Sequence, residues 1–471
     1  MPVIESRRMA NFNTNRRRLL AAGLAGAAGL LIGRSLAAPS AFKVPSTKAP
    51  KVPKKVFAHY MVCCPVAGGG ATVEDFKKEI QEAQKRGLDG FALNCGGWDK
   101  GGGTEYKPRC VKIYEAAKQL GTGFLLFVSM DYCCGNYLDE TRDAIQTFRD
   151  HPNQFKIGGK PVLSTYGGEG HEPKPAQEKI ALVRSLDGFF VPFFFGTNYG
   201  DFNNADVVAE ILRDYGAADG YFFFGTAGSG DEITQRNHRL CQAWQAAGKV
   251  FMAAVTPYYR SFGRLNETRG FRAMAQEWEG AIRDGADWIE ITTWNDWNEK
   301  TYVAPFGKPT DTMMGGGTDD GYGPVNYAHV AYLDASRYYI DWFKTGKPPR
   351  ITRDRLFYFY RPEPKSAAGK QLSAREVEKG VKSIDGADRL EDSVFATCFL
   401  AKPALLTIHS GTTSRAFVIP AGIHHVDMPF ALGAQRFTLT RNGHTLLDKT
   451  GEQEIADRQG VTRYNYFAGE A

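Results

Sequence analysis

Residues 294–299 read Trp-Asn-Asp-Trp-Asn-Glu, which sets two carboxylates, Asp296 and Glu299, three positions apart among two indoles and two amides. Paired carboxyl groups suit glycosidic hydrolysis. One acid protonates the leaving oxygen, and one carboxylate stands across the anomeric carbon, roughly 6.5–9.5 Å away for inversion and about 5–5.5 Å for retention. The rings of Trp294 and Trp297 offer flat faces for a sugar, and their bulk would raise the pKa of the acid by excluding water. The same residues also allow a plainer arrangement, in which Asp296 caps a helix and the tryptophans pack. The elements around the stretch have to discriminate between the two.

Residues 286–293 lead into it as a buried strand, with Trp288, Ile289, Ile291, Thr292 and Thr293 β-branched or aromatic. Seven further apolar runs, at 56–62, 90–94, 123–130, 161–165, 189–195, 219–224 and 250–255, have the same character. Amphipathic helical patterns lie between them, among them 73–86, 108–120, 205–215, 232–247 and 271–283, and a long helix follows at about 327–345. Eight strands alternating with helices predict an α/β fold, a (β/α)8 barrel, with a doubly wound open sheet as the rival. No GxGxxG follows the first strand and no P-loop occurs, so nucleotide binding has no support.

In such a barrel the active face lies at the carboxyl ends of the strands. Those ends carry His59 and Tyr60, Asn94, Asp131 and Tyr132, Tyr166, Tyr258 and Tyr259, and the stretch from Trp294 through Asn295 to Glu299. Polar and aromatic residues recurring at one end of separate strands favour the catalytic reading of Asp296 and Glu299.

Other parts of the chain have different textures. Residues 1–38 hold an Arg-Arg pair before an apolar run at 21–32 and small residues at 35–38, resembling a twin-arginine export signal. The run is broken by glycines and short of the ~20 residues that a membrane span needs; an uncleaved anchor is the alternative. Residues 39–55, rich in Pro and Lys, read as a solvated linker. The barrel is expected over 56–348. From 349 to 471, short strands at 394–400, 404–410, 415–420, 424–430 and 435–441 predict an antiparallel β-sandwich, with packing against the barrel favoured over sugar binding as its role and both open. Six of the arginines behind the net charge of +6 fall in residues 1–38 against one glutamate, leaving about +1 for the rest and no basic excess for nucleic acid. Five of eight cysteines, Cys63, Cys64, Cys95, Cys133 and Cys134, follow the first three strands. Rim disulfides, a bound metal and free thiols all stay open, whereas Cys110, Cys241 and Cys398 read as core residues.

A family resemblance joins these pieces. VFAHYMV (56–62), GFALN (90–94), SMDY (129–132), HPNQFKIGGKPVLSTY (151–166), FVP (190–192), TPYY (256–259) and TTWNDWNEKTYVAP (292–305) resemble, in order, the segments of glycoside hydrolase family 71, the α-1,3-glucanases or mutanases. The resemblance implies an inverting, endo-acting hydrolase of α-1,3-glucan on a (β/α)8 barrel with an accessory sandwich. It places the acid pair on Asp296, as base, and Glu299, as acid, with Asp131 a third carboxylate in the cleft. The chain departs from the family where Trp297-Asn298 replaces Tyr-Gly, where Lys300-Thr301 replaces Ser-His, and where FFFGTAGSG (222–230) lacks a Ser-Trp pair. The combined expectation is an exported, monomeric, cofactor-independent enzyme with a polysaccharide substrate. His59, Tyr60, Asn94, Asp131, Tyr132, Tyr258, Trp294, Asn295 and Trp297 bind the glycan, in the periplasm or outside the cell. A hydrolase of another α-glycan and a non-catalytic glycan-binding protein are the alternatives.

Overall fold

A computed structural model describes residues 51–471 apart from 100–103, 133–137, 168–172, 197–201, 203, 262, 309, 311–325, 367–368, 371, 373–376, 378–379, 458–459 and 462–463. The export segment, Cys133 and Cys134 lie outside the described residues. Strands β1 (Lys55–Met61), β2 (Gly90–Cys95), β3 (Leu125–Asp131), β4 (Lys160–Tyr166), β5 (Phe189–Phe190), β6 (Gly220–Phe222), β7 (Val250–Val255) and β8 (Trp288–Ile291) alternate with helices. The helices are α1 (Val73–Lys85), α2 (Tyr106–Leu120), α3 (Leu138–Phe148), α4 (Pro173–Ser185), α5 (Ala205–Tyr215), α6 (Gly230–Ala246), α7 (Arg272–Arg283) and α8 (Val330–Thr345). Among the described residues, no helix is long and apolar enough to cross a membrane.

Local sequence explains the boundaries. Thr72 and Asp75 form a reciprocal capping box that starts α1, and Ser229 and Glu232 do the same for α6. At Gly90 a Cβ would lie 2.1 Å from the Leu125 carbonyl oxygen, so β2 can approach β3 only with glycine there. The fifth run is ordered as strand over two residues rather than 189–195, because Pro192 has no N–H for a ladder. The eighth is Trp288–Ile291. Lys55, read as linker, instead opens β1 and meets Asp89 at 3.4 Å.

The parallel strands are ordered β6-β7-β8-β1-β2-β3-β4-β5. The sheet is curled. Phe57 of β1 meets Phe127 of β3 edge-on at 5.0 Å, and Trp288 of β8 meets Phe189 of β5 at 6.1 Å, although β8 and β5 are far apart in the order. Only curvature brings those faces together, and the aromatic rings fill the space inside. The two edges also touch: the Asp219 amide donates to Phe190 O at 3.0 Å, and the Phe222 amide to Pro192 O at 2.9 Å.

The C-terminal region forms two four-stranded antiparallel sheets. One runs β13 (Gly422–Pro429), β10 (Ser393–Leu400), β9 (Arg355–Tyr360), β16 (Phe467–Glu470). The other runs β12 (Thr413–Ile419), β11 (Ala404–Ser410), β14 (Gln435–Arg441), β15 (His444–Thr450). Alternation along β9 serves two cores at once. Leu356, Tyr358 and Tyr360 pack with Leu406, Ile408 and Phe437 of the second sheet, whereas Phe357 and Phe359 belong to the core of the parallel sheet.

Candidate active site

The acid loop leaves β8 through Thr292 and Thr293. The Thr293 hydroxyl accepts the Asp296 amide at 2.9 Å, and the Trp294 amide donates to His59 O at 2.7 Å, which starts the loop against β1. Asp296 Oδ1 in turn accepts the amides of Asn298 at 3.1 Å and Glu299 at 3.0 Å. Asp296 thus caps no helix, but it caps the turn that holds the second acid, while both tryptophans pack as in the plainer arrangement. Both carboxylates are half-buried, while Trp294, Asn295, Trp297 and Lys300 are buried around them.

Burial raises the pKa of Asp296 above the usual carboxylate range, opposed by the Glu299 amide, His59, the Asn298 amide and Lys300. The loop thus sets desolvation, the larger effect, against donors that favour the charged form.

Several residues expected to touch sugar instead support the loop. Trp294 is fully buried, its indole nitrogen donating to Glu79 Oε2 at 2.8 Å, and the Tyr60 hydroxyl donates to Glu79 Oε1 at 3.0 Å. Both point towards α1, away from the inside of the curl. Asn295 accepts the Met61 amide at 2.7 Å and donates to Met61 O at 3.0 Å and Cys64 O at 2.7 Å. Trp297 packs on Tyr302 at 4.7 Å and donates to Cys64 O at 3.0 Å. Tyr258 is buried with its hydroxyl on Tyr464 O. Rings whose faces and polar atoms are already occupied by protein cannot stack on a pyranose.

His59, Asn94 and Asp131 remain on the strands that surround the mouth. Asn94 Nδ2 donates to Asp131 Oδ2 at 3.4 Å, joining β2 to β3. His59 is bonded through Nδ1 to Glu290 Oε1 at 2.6 Å and meets Phe224 edge-on at 4.9 Å. Tyr132 turns to the helices, its hydroxyl on Thr141 and its ring 4.3 Å from Lys179 Nζ. Sequence reasoning missed Glu290 and the aromatic wall of Phe195 and Phe224, which meet Tyr166 at 5.4 and 4.9 Å. The repeated phenylalanine triplets at 193–195 and 222–224 were the available signal.

The described cysteines are thiols, with Sγ atoms 2.8 Å apart for Cys63 and Cys64 and 3.5 Å apart for Cys95 and Cys110. Cys110 is buried in the core as expected, and there it meets the rim cysteine Cys95. Among the described residues no group of three or more His, Cys, Asp or Glu is arranged to hold a metal ion.

The profile of glycosyl hydrolase family 71 matches residues 52–471. A mutanase of Penicillium rubens is 27% identical over 434 residues, covering 88% of this chain and 88% of its own. A glucan endo-1,3-alpha-glucosidase of Schizosaccharomyces pombe is 27% identical over 432 residues, covering 88% and 94%. An ascus wall endo-1,3-alpha-glucanase of the same yeast is 23% identical over 447 residues, covering 88% and 96%.

Proposed function

The chain belongs to glycosyl hydrolase family 71 and is a glycoside hydrolase, and on that premise we propose that it cleaves α-1,3-glucan by an endo-acting, inverting reaction. The observation that carries the reading is the turn in which Asp296 Oδ1 accepts the Glu299 amide at 3.0 Å. It holds two half-buried carboxyl groups in one rigid loop beyond the carboxyl end of β8. Asp296 takes the proton of a water that attacks the anomeric carbon, and Glu299 gives its proton to the departing glycosidic oxygen. His59, Asn94 and Asp131, at the same end of β1, β2 and β3, are proposed to bind the sugar. Tyr166, Phe195 and Phe224 offer the aromatic surface in place of the two tryptophans.

The finer architecture belongs to the same proposal. The bonds from Asp219 to β5 and from Phe222 to the segment just after it support a closed (β/α)8 barrel, and the core shared by the two C-terminal sheets supports an accessory sandwich. The Arg-Arg segment supports export to the periplasm or beyond.

Reducing-sugar release from α-1,3-glucan by wild type, Asp296→Asn and Glu299→Gln tests the assignment. Both variants are expected to lose at least about a thousandfold in kcat while staying folded. Near-wild-type turnover by either would remove that residue from the chemistry. Wild type that binds the glucan without cleaving it would replace hydrolysis by glycan binding. The anomeric form of the first product, read by NMR, tests inversion separately.

A further inference from the structure

Next to the acid loop lies a buried couple, one member of which, Glu290, no motif marks. His59 on β1 and Glu290 on β8 are joined, Nδ1 to Oε1, at 2.6 Å, and their side chains are 1% and 0% exposed. Phe222 and Phe224 lie against the imidazole at 6.5 and 4.9 Å. Glu290 Oε2 has no hydrogen-bond partner among the described residues. A carboxyl group so deep, with half its acceptor capacity unused, costs stability that an apolar residue of similar volume would not. Burial accordingly pushes the Glu290 carboxyl up, against the pull of its bond to His59. A costly feature next to a reacting centre calls for a role in the reaction.

The backbone shows what the couple adjoins. The acid loop begins with the Trp294 amide on His59 O at 2.7 Å. The imidazole is also one of the groups that hold the Asp296 carboxyl down against burial. Among the described residues, other ionisable groups at Asp296 are Glu299 and Lys300 on its own loop and Cys64 after β1, with Arg260 after β7 bonded through its amide to Glu299 O at 2.9 Å. Among these, His59 is the group that a second carboxyl holds in place from a neighbouring strand.

We propose that Glu290 is a positioning residue acting through His59: by accepting from Nδ1 it fixes the ring, and with it the end of β1 whose carbonyl starts the acid loop, so that Asp296 is held in place as the base. Nε2 is left as the nitrogen available to the site. The inference rests on the reading of Asp296 as the base.

The test is kcat/KM against pH on α-1,3-glucan for wild type, Glu290→Gln, His59→Gln, their double variant and Glu290→Asp. The acid limb reports ionisation of the base in the free enzyme. It is expected to move up by about one pH unit in each single variant. The double variant should move no further than either, and Glu290→Asp, which keeps the charge, should move it back towards wild type. Lower rates with an unmoved limb would reduce the couple to a packing role and overturn the proposal. Shifts that add in the double variant would show that Glu290 does not act through His59. Should Glu290→Gln fail to fold, an unmoved limb in His59→Gln is still decisive. Asp296→Asn is run alongside, and near-wild-type turnover there would instead sink the assignment of the base.

Discussion

The indole nitrogen of Trp294 donates to Glu79 Oε2 at 2.8 Å, so the loop that carries the two acids is fastened to helix α1. Glu79 Oε1 takes the Tyr60 hydroxyl at 3.0 Å and the Val66 amide at 3.2 Å. Strand β1, its exit turn, the following helix and the acid loop therefore meet at one carboxyl group. Two side chains suited by type to sugar contact serve this junction instead.

The junction has a pH dependence with a definite sign. Burial raises the Glu79 carboxyl from 4.5 to about 7, against the lowering by Trp294, Tyr60 and the Val66 amide. The folded protein thus holds this proton more tightly than the unfolded chain. The associated stability is full below about pH 4.5 and is lost as pH rises through about 7, a loss of about 3 kcal/mol. Melting curves of wild type and Glu79→Gln from pH 4 to 8 should diverge by that order, wild type declining relative to the variant. Parallel profiles would show that Glu79 does not titrate in this range.

Asn295 gives a sharper contrast between two substitutions. Its amide nitrogen faces Met61 O at 3.0 Å and Cys64 O at 2.7 Å, and its oxygen accepts the Met61 amide at 2.7 Å. Asn295→Ala removes these partners and should cost about 2–4 kcal/mol. Asn295→Asp keeps the acceptor but turns a carboxylate oxygen towards two carbonyls, and should cost more. Urea midpoints rank the two. Because Asp296 is the next residue, kcat should fall in both with a smaller change in KM. An aspartate variant as stable as wild type would contradict the geometry.

The alternation of strands and helices was legible because the buried runs and capping boxes are local signals: Thr72 with Asp75 and Ser229 with Glu232 mark helix starts that the fold uses. The acid loop was legible as a cluster. What each side chain faces was not. His59 and Tyr60 are adjacent on β1, and neighbours on a strand point to opposite faces, so only one of them can look into the curl. His59 does, towards Glu290, while Tyr60 reaches Glu79 on α1. Glu290 had a usable signal, a single acid in the strand Trp-Ile-Glu-Ile with two residues' spacing from the inward Trp288. The meeting of Cys95 with Cys110 depends on how α2 lies on β2, which no local pattern encodes.

Trp297 stands where the family resemblance has tyrosine, and its surroundings say how much that matters. The ring packs on Tyr302 at 4.7 Å and Phe306 at 5.5 Å, with the indole nitrogen on Cys64 O at 3.0 Å. Trp297→Tyr keeps an aromatic ring there and should cost about 1 kcal/mol for the lost bond, with kcat/KM within a few-fold of wild type. Trp297→Ala leaves a cavity directly beside Asp296 and should cost about 3–5 kcal/mol. Chemical denaturation with parallel kinetics separates them. A tyrosine variant as damaged as the alanine one would mean that the indole contacts substrate after all.

Gly270 tests how the C-terminal sheets are joined to the rest. Its φ is +63°, and a Cβ there would lie 2.9 Å from Phe395 Cβ and 3.0 Å from Phe359 Cβ. Those phenylalanines belong to β10 and β9 and share the core of the parallel sheet. Gly270→Ala therefore combines an unfavourable backbone conformation with overpacking, together about 2–4 kcal/mol. The contact is between two parts of one core, so the whole protein should lose stability in a single transition at lower temperature. Calorimetry on the variant makes the distinction. Two separated transitions would mean that the C-terminal sheets unfold independently, and an unchanged transition would mean that the contact does not buttress the parallel sheet.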